Sequence, residues 1–206
     1  MLSLKNSLAV LRKTDALLEG HFVLSSGLHS PQYVQCAKLL SKPTQAKKFI
    51  SSLATKIKRN IKSFDIILSP AMGGVIIGYE IGRLLKKETI FCERVDKKFK
   101  LRRGFNIKKK AKVLIVEDVI TTGKSSLECV RLIKKFGGKF VGIACLIDRS
   151  KKLKMSKKVI SQVKLDIPVY KRNKLPNSLK NIQITKPGSR YPVSYTHLRA
   201  HETMVD

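Results

Sequence analysis

The stretch that decides the fold is "VLIVEDVITTGKS", residues 113–125. It starts as an apolar run typical of a buried strand, continues with the adjacent acids Glu117 and Asp118, and ends in a small-residue loop that opens onto a helix. The ending "GKS" is typical of a P-loop, but the motif GxxxxGK[ST] needs a glycine where this chain has Asp118. A carboxylate at that position would face the phosphates, so we reject the P-loop interpretation.

The same stretch fits a different ligand. The loop can offer backbone N–H groups and hydroxyls to one phosphate at a helix N-terminus. The two acids would repel a phosphate, but they can accept hydrogen bonds from vicinal hydroxyls or help to hold a magnesium ion. A sugar with free hydroxyls and a terminal phosphate, such as ribose 5-phosphate, suits both the acid pair and the loop. The simpler alternative, a buried strand before a capped helix, leaves adjacent acids unexplained in a chain with 14 Asp and Glu residues.

Outward from this stretch, apolar strands alternate with helices. Strands are predicted at 64–70, 88–94, 111–118 and 139–149, with helices at 75–87 and 125–137. This alternation predicts an α/β fold with a mostly parallel sheet flanked by helices. In such sheets ligands bind beyond the carboxyl ends of the strands. The loops "SPAMGG", "EDVITTGKS" and "DRS" are therefore expected to meet at one edge.

The N-terminal part has a different pattern. Residues 1–18 predict an amphipathic helix, residues 21–40 predict short strands around a turn, and residues 42–58 predict a helix with Pro43 near its start. We expect one domain over 1–192, with a small N-terminal hood (1–42), a core (43–150) and a C-terminal part (151–192). Residues 193–206 differ in composition, and we expect them to be a non-native or disordered tail.

The segment "RVDKKFKLRRGFNIKKK", residues 94–110, interrupts the alternation. It is too charged for a core and too long for a simple connection. Two interpretations remain open for it: a solvated hairpin or a mobile functional loop.

The composition limits the partners. The formal net charge is +29, from 43 Lys and Arg against 14 Asp and Glu. The lysines scatter along the chain without interleaved aromatic residues, so we interpret most of them as a solvated surface and expect no specific nucleic-acid partner. No apolar run reaches the roughly 18–20 residues that span a bilayer, so no membrane partner is expected. The four cysteines form no CxxC motif, which favours reduced thiols and a cytoplasmic location.

These motifs carry a family resemblance. "VLIVEDVITTGKS" resembles the phosphoribosyl diphosphate motif of type I phosphoribosyltransferases. "GHFVLSSGLHSPQYVQC", "SPAMGGVIIGYEIGRLL", "ERVDKKFKLRRGF" and "LIDR" are similar to the orotate phosphoribosyltransferases of the shorter bacterial kind. The resemblance implies the type I phosphoribosyltransferase fold. It also implies transfer of phosphoribosyl from 5-phosphoribosyl 1-diphosphate to orotate in pyrimidine biosynthesis, giving orotidine 5′-monophosphate and diphosphate, with Mg²⁺ as cofactor.

The resemblance also implies site residues. Glu117 and Asp118 would hold the ribose hydroxyls, Arg149 would contact orotate, and Gly73 and Gly74 would approach the diphosphate. The remaining substrate-binding residues follow the acids, with 121–125 at the 5′-phosphate and Thr121 also near orotate: Val119, Ile120, Thr121, Thr122, Gly123, Lys124 and Ser125. The Mg²⁺ would be held mainly by the substrate diphosphate.

The basic segment acquires a role through the same resemblance. Departure of diphosphate leaves positive charge on the sugar and negative charge on the leaving group, and cations over the diphosphate stabilise that separation. The candidate catalytic residues are Arg94, Lys97, Lys98, Lys100, Arg102 and Arg103. The family loop serves the neighbouring subunit's site, so a homodimer with the loop acting in trans is implied.

The chain departs from the family pattern near the substrate. Ser25 and the pair Met72–Gly73 stand where many relatives carry a lysine and Tyr-Lys. His29 could replace a lost cation or could be a turn histidine without a catalytic role. Two alternative functions remain open: a phosphoribosyltransferase for another base, and a nucleic-acid-binding regulator with a phosphoribosyltransferase-like fold.

Overall fold

The computed structural model describes residues 1–24, 26–151 and 159–187. The strands are β1 Leu17–Val23, β2 His29–Val34, β3 Ile66–Pro70, β4 Glu88–Val95, β5 Lys98–Leu101, β6 Lys112–Ile120, β7 Lys139–Asp148, β8 Val159–Lys164 and β9 Ile184–Thr185. The helices are α1 Leu4–Lys13, α2 Cys36–Leu40, α3 Pro43–Asn60, α4 Gly73–Leu85, α5 Lys124–Lys135 and α6 Asn177–Lys180, with a 3₁₀ turn at Arg172–Lys174.

A six-stranded sheet in the order β5-β4-β3-β6-β7-β8 forms the centre of the molecule. Every neighbouring pair is parallel except β4 and β5, which are antiparallel at one edge. This confirms the predicted α/β fold with a mostly parallel sheet. The chain moves outward from β3 to β4 on one side and from β6 to β8 on the other. The carboxyl ends of β3 and β6 therefore flank the switch point where open α/β sheets bind ligands.

Helices cover both faces of this sheet, which explains the continuous apolar strands. One apolar cluster joins the sheet to α3 and α4 through residues such as Phe49, Leu53 and Ile77, all fully buried. A second cluster lies on the opposite face and includes Cys129 and Ile133 of α5. Strands buried on both faces have no polar face to alternate with, so their sequence is apolar throughout.

The helix expected at 42–58 is confirmed, and Pro43 occupies its first turn. The expectation of strands over 21–40 is wrong for its last residues, because residues 36–40 form α2. Cys36, Leu39 and Leu40 of this helix are buried in the cluster that contains α3 and α4. A short helix places all three apolar side chains on the core, whereas an alternating strand would expose part of them.

A small second sheet forms the hood. Strands β1 and β2 pair antiparallel, and β9 adds to β1 in parallel. The hood therefore combines the N-terminal segment with residues near the C-terminus, which the sequence pattern did not indicate. The tail expected at 193–206 lies outside the described residues. None of the described helices is both long enough and apolar enough to cross a membrane.

A glycine stripe on α4 brings this helix close to the sheet. Gly74, Gly78 and Gly82 recur every fourth residue on the face toward β3 and β4. A Cβ atom added to Gly78 would lie 3.0 Å from the Cβ of Ser69 and 3.4 Å from Cγ2 of Thr89. The short helix-to-sheet distance therefore depends on the absence of side chains along this stripe.

We expect Gly78→Ala to lower the free energy of unfolding by about 1–3 kcal/mol, because overpacking costs about that much. Alanine's helix propensity, roughly 1 kcal/mol better than that of glycine, offsets only part of this cost. Urea denaturation measures the change. The control Thr55→Ala changes an exposed position of α3 and should stay within about 0.5 kcal/mol. A more stable Gly78→Ala protein would show that α4 can move away from the sheet at little cost.

Candidate active site

The acids of the opening motif lie at the carboxyl end of β6, beside the start of α4. Strand β6 continues two residues beyond the acids, to Ile120. The Asp118 carboxylate lies against Gly73, where an added Cβ would come within 2.7 Å of Oδ1. Asp118 Oδ1 also accepts the Val119 N–H at 2.9 Å. The segments "SPAMGG" and "EDVITTGKS", which were expected to meet, are in direct contact where Gly73 passes Asp118.

The two acids have different surroundings. Glu117 is buried, and its Oε1 accepts a short hydrogen bond from the hydroxyl of Ser126 in α5. Burial raises the pKa of Glu117 to about 7, the Ser126 hydrogen bond opposes this rise, and the nearby Asp118 adds to it. Burial also raises the pKa of Asp118, while backbone N–H donors lower it. Glu117 is buried and Asp118 half-buried, and neither forms an ion pair within the described residues, so both carboxyls can accept hydrogen bonds from a ligand's hydroxyls.

The loop after β6 leads directly into α5. Thr121 and Thr122 are exposed, and Gly123 takes a left-handed conformation (φ 73°) at the helix start. The first bond of the helix runs from Leu127 N–H to the Gly123 carbonyl (2.9 Å). The N–H groups before Leu127 therefore have no intrahelical acceptor. The Lys124 N–H is directed to Thr122 Oγ1 (3.4 Å), and N–H groups at the start of a helix are suited to binding an anion.

Not every residue of the predicted binding segment presents a side chain here. Val119 packs against the apolar cluster of α3 and α4, and Ile120 is fully buried. Only their backbone groups are near the site. The glycines after β3 also differ, because Gly73 is exposed while Gly74 is buried against Val116, Pro70 and Ser69. Gly73 can approach a ligand, whereas Gly74 serves the packing of α4.

Arg149 lies next to the loop after β6. Its backbone N–H donates to the Ile120 carbonyl (2.8 Å), and the turn behind it is fixed by Ser150 N–H donating to Asp148 Oδ1 (2.8 Å). Burial lowers the pKa of Arg149, although the guanidinium stays protonated. Its Nε is buried and has no acceptor among the described residues. The structure therefore places an incompletely hydrogen-bonded guanidinium beside the loop that joins β6 to α5, residues 121–123.

Tyr33 of β2 faces this arginine. Burial raises the pKa of Tyr33, and the charge of Arg149 opposes that rise. The Tyr33 ring also packs on Phe22, with 5.7 Å between the ring centroids. Sequence reasoning did not select Tyr33 as a site residue, nor did it select Ser126. The pairing of β1 with β2 brings Tyr33 to the site, and residues that meet through pairing leave no local pattern.

The basic segment forms a hairpin followed by a loop. Strands β4 and β5 are joined by Asp96 and Lys97, both with positive φ (50° and 63°), as in a type I′ turn. The segment is not wholly outside the core, since Ile107 is buried and Phe99 and Phe105 pack on the second apolar cluster. The hairpin interpretation is confirmed, and the mobility of this segment stays a prediction.

Acids of the same chain already bind three of the candidate cations. Each of these bonds is an ion pair of about 3 Å: Arg94 with Glu128 of α5 (2.9 Å), Lys100 with Asp96 (3.0 Å) and Arg103 with Glu93 (2.9 Å). Arg94 also donates to the Lys97 carbonyl (2.7 Å) and lies over the Phe99 ring. Lys97, Lys98 and Arg102 are exposed and have no ion pair within the described part of the chain. They are the candidates free to approach a leaving group.

His29 does not replace a missing cation. It is buried, and its Nδ1 lies 2.7 Å from Nε2 of His21. Because His21 Nδ1 faces the Ile182 carbonyl (3.3 Å), that nitrogen must donate. His29 is then the donor of the bond between the two rings. Burial and the neighbouring His21 and Arg172 lower the pKa of His29, which disfavours its charged form. Ser25, the other departure from the family pattern, lies outside the described residues.

Comparison with known proteins agrees with this geometry. The model of the phosphoribosyl transferase domain family matches residues 37–177. An orotate phosphoribosyltransferase of Erythrobacter litoralis is 46% identical over 185 residues, covering 89% of this chain and 96% of the relative. One of Parvibaculum lavamentivorans is 47% identical, covering 87% and 93%. This chain belongs to the orotate phosphoribosyltransferase family.

Solved structures show the fold of this phosphoribosyltransferase independently. The orotate phosphoribosyltransferase of Aeropyrum pernix superposes with a TM-score of 0.68 at 24% identity, covering 76% of this chain and 92% of that chain. An adenine phosphoribosyltransferase of Thermoanaerobacter pseudethanolicus gives 0.57 at 20% identity, covering 65% and 88%. Because proteins named for different bases share the fold, the fold alone does not choose the base.

The burial of Glu117 predicts a pH-dependent cost to stability. The pKa of Glu117 is about 7 in the folded protein, above its ordinary value of 4.5. The folded protein therefore binds this proton more tightly than the unfolded chain does, and the bound proton stabilises the fold. That contribution is lost as pH rises through about 7. We expect Glu117→Gln to be more stable than the unchanged protein by about 2–3 kcal/mol at pH 8, with the difference vanishing near pH 4.5.

Urea denaturation at a series of pH values measures this difference. The control Glu88→Gln removes an exposed acid and should change stability by less than about 0.5 kcal/mol throughout. A Glu117→Gln protein that is less stable at pH 8 would mean that contacts of the carboxylate outweigh its burial.

Proposed function

We propose that this phosphoribosyltransferase transfers the phosphoribosyl group of 5-phosphoribosyl 1-diphosphate to orotate, giving orotidine 5′-monophosphate and diphosphate. The observation that carries this proposal is the position of Glu117 and Asp118 between Gly73, at the start of α4, and the loop that leads into the N-terminus of α5. Two relatives that are 46% and 47% identical to this chain, over 89% and 87% of its length, are named for the same reaction.

Each part of the site suits one part of the sugar phosphate. The carboxylates of Glu117 and Asp118 accept hydrogen bonds from the ribose hydroxyls, and the loop 121–125 receives the 5′-phosphate at the N-terminus of α5. Charge-assisted hydrogen bonds of this kind contribute about 1.5–3 kcal/mol each. The sugar is thereby held at both ends, with C1 directed between the loop after β3 and Arg149.

Arg149 suits an acidic base. Its guanidinium is a rigid fork of donors that matches a carboxylate or an imide edge. The buried Nε has no acceptor among the described residues, so a bound orotate would supply one. Tyr33 supplies an aromatic wall beside it. An anionic pyrimidine gains more from this arrangement than a neutral purine does.

Charge separation at C1 is the difficult part of the reaction. The sugar becomes cationic as the diphosphate leaves, and no protein nucleophile is required. We place the free cations of the hairpin, Lys97, Lys98 and Arg102, over the leaving group, where fixed positive charges stabilise the developing anion. The ion pair of Arg94 with Glu128 holds the hairpin against α5, the helix that carries the phosphate loop.

Magnesium fits this site as a companion of the substrate. No group of three or more His, Cys, Asp or Glu side chains converges anywhere in the described residues. Mg²⁺ often keeps several waters and binds through one or two carboxylates plus substrate phosphates. Glu117 and Asp118 supply carboxylate oxygens of that kind, so we assign the metal mainly to the diphosphate. Bound there, it would neutralise part of the leaving group's charge.

A homodimer is supported by an apolar stripe on α4. Met72, Ile76 and Tyr79 are 87%, 58% and 68% exposed and lie at helical spacing on one side of the helix. The stripe begins beside the Asp118 carboxylate, so a second copy docked on it would bring a neighbouring hairpin near this site. We also propose a cytoplasmic location, which suits the four free buried cysteines.

Turnover of orotate tests the proposed function. Orotate absorbance should fall only when 5-phosphoribosyl 1-diphosphate and Mg²⁺ are both present, with one diphosphate released per orotate. Adenine, guanine and uracil serve as alternative bases. Turnover of one of these without turnover of orotate would assign the chain to another base.

Two variants separate the subsites within the same assay. Arg149→Ala should raise the KM for orotate by about 10-fold or more and change the KM for 5-phosphoribosyl 1-diphosphate little, because only the base loses a charge-assisted hydrogen bond. Asp118→Asn should show the reverse pattern. If both variants damage both constants equally, the two residues have structural roles instead.

Mixed dimers test whether the hairpin acts in trans. One variant combines Lys97→Gly, Lys98→Ala and Arg102→Ala, which leaves the three ion pairs of the hairpin intact. The other combines Glu117→Ala and Asp118→Ala. Each alone should lose about 100-fold or more of its activity. Unfolded, mixed equally and refolded, they should recover roughly a quarter of the original activity, because about half of the dimers have one site built from two intact parts.

A third variant controls for the loss of charge. Lys108→Ala, Lys109→Ala and Lys110→Ala together remove three lysines beyond the hairpin and should leave turnover unchanged. If mixed dimers form but activity does not return, the hairpin serves its own subunit.

A further inference from the structure

The surface at the amino ends of the sheet strands is strongly basic. It lies at the opposite end of the strands from the candidate active site. The amino ends of the strands lie side by side there, with Ile66 of β3 beside Glu88 of β4 and Lys112 of β6 beside Lys139 of β7. The turn after α5 joins the same edge, because Lys110 N–H donates to the Gly137 carbonyl and Lys139 N–H to the Ala111 carbonyl, both at 2.7 Å. We call this surface the amino face.

The amino face collects lysines from distant parts of the chain. Its basic residues come from the ends of α3, α4 and α5 and from the approaches to β4, β6 and β7: Lys58, Arg59, Lys62, Lys86, Lys87, Lys108, Lys109, Lys110, Lys112, Lys134, Lys135 and Lys139. All of them are exposed except Lys87, which is half-buried. The acids at this edge are Asp65 and Glu88, and Asp65 Oδ2 already accepts the Lys112 N–H (2.7 Å).

These cations lack carboxylate partners. Within the described residues, no Lys or Arg of the amino face lies within 4 Å of an acidic side chain, and Lys112 Nζ donates only to the hydroxyl of Ser63 (2.8 Å). The hairpin near the candidate active site is different, because three of its cations are paired. The charge of the amino face is therefore available to a partner.

Helix dipoles explain only part of this distribution. Basic residues in the last turn of a helix stabilise its carboxyl end, which accounts for residues such as Lys58, Arg59, Lys134 and Lys135. The run 108–110 and Lys139 lie outside any helix and gain nothing from a dipole. They add positive charge where the helix ends have already concentrated it.

We propose that the amino face binds the phosphate backbone of double-helical nucleic acid without reading its sequence. A phosphate backbone neutralises a broad array of exposed lysines and releases its counterions. Phe136 and Phe140 nearby are half-buried, so the described face has no exposed ring on which single-stranded bases would stack. Of the exposed large apolar residues of the described chain, Met1 borders this face, with its Sδ 3.6 Å from Arg59 Nη1. One methionine is a smaller apolar surface than the apolar side of a helix that binds a membrane.

The position of the face separates this binding from catalysis. The candidate active site lies at the carboxyl ends of the strands, and the amino face lies at their other ends, a strand length away. Bound nucleic acid therefore leaves the substrate loops accessible. Turnover and nucleic-acid binding can be measured as independent properties of one protein.

Two variants of equal charge test the proposal. The face variant changes Lys108, Lys109, Lys110, Lys134, Lys135 and Lys139 to serine. The control variant changes Lys5, Lys13, Lys38, Lys47, Lys48 and Lys180, exposed lysines elsewhere, to serine. The probes are a 20-base-pair DNA duplex, a 20-base-pair RNA duplex and vesicles that contain phosphatidylserine. Binding is measured by fluorescence anisotropy for the duplexes and by co-sedimentation for the vesicles, over a series of salt concentrations.

We expect the unchanged protein to bind at least one duplex with a Kd of about 10⁻⁴–10⁻⁶ M, as nonspecific complexes do. The face variant should bind about 10-fold or more weaker, and the slope of log K against log salt should fall by about 2 or more, since each lost phosphate contact removes about 0.9 for DNA. The control variant should weaken less than about 3-fold. The DNA and RNA arms show which duplex is preferred.

Several results would overturn the proposal. Equal weakening in both variants would mean that net charge alone attracts the duplex. Binding to vesicles but to neither duplex would make the partner a membrane surface, and no binding to any probe would leave the face solvated. Orotate turnover, expected to be unchanged in both variants, shows that each variant is folded.

Discussion

The carboxylates at the end of β6 impose the main constraint on this molecule. They lie near the end of a strand that is buried on both faces, and Glu117 is itself buried. The hydroxyl of Ser126 and the backbone N–H donors beside Asp118 offset part of the cost of removing these carboxylates from water. The start of α4 can pass Asp118 only because residue 73 has no side chain. The glycine stripe of α4, the loop after β3 and the phosphate loop are all positioned around this pair of acids.

The positive charges of the chain divide into two groups with different surroundings. Those of the hairpin are largely fixed by acids of the same chain, and the pair of Arg94 with Glu128 holds the hairpin on the helix that carries the phosphate loop. Ion pairs between exposed side chains contribute little to stability, so their main effect here is orientation. The amino face has no such pairs among the described residues. Composition alone gives one large net charge, whereas the fold separates a hairpin with paired cations from a basic surface without ion pairs among the described residues.

The hood depends on contacts between the two ends of the described chain. Strand β9 pairs with β1, Tyr170 exchanges backbone hydrogen bonds with His29, and His21 donates to the Ile182 carbonyl. The buried pair of His21 and His29 thus fixes one side of the sheet, while Tyr33 of the same sheet faces Arg149. The hood strands beside Arg149 are therefore held by residues more than 130 positions away in sequence.

The sequence by itself determined the strands between residues 64 and 149, the helix that starts at Pro43, and the motif of two acids before a phosphate loop. These features depend on neighbouring residues, because burial on both faces, capping and loop chemistry leave patterns within a few positions. Tertiary structure alone decided the pairing of Arg94 with Glu128, the buried contact of His29 with His21, the strand that closes the hood, and the collection of scattered lysines on one face. Each of these joins groups from distant segments, whose separation in space depends on the order of strands in the sheet and not on any local pattern.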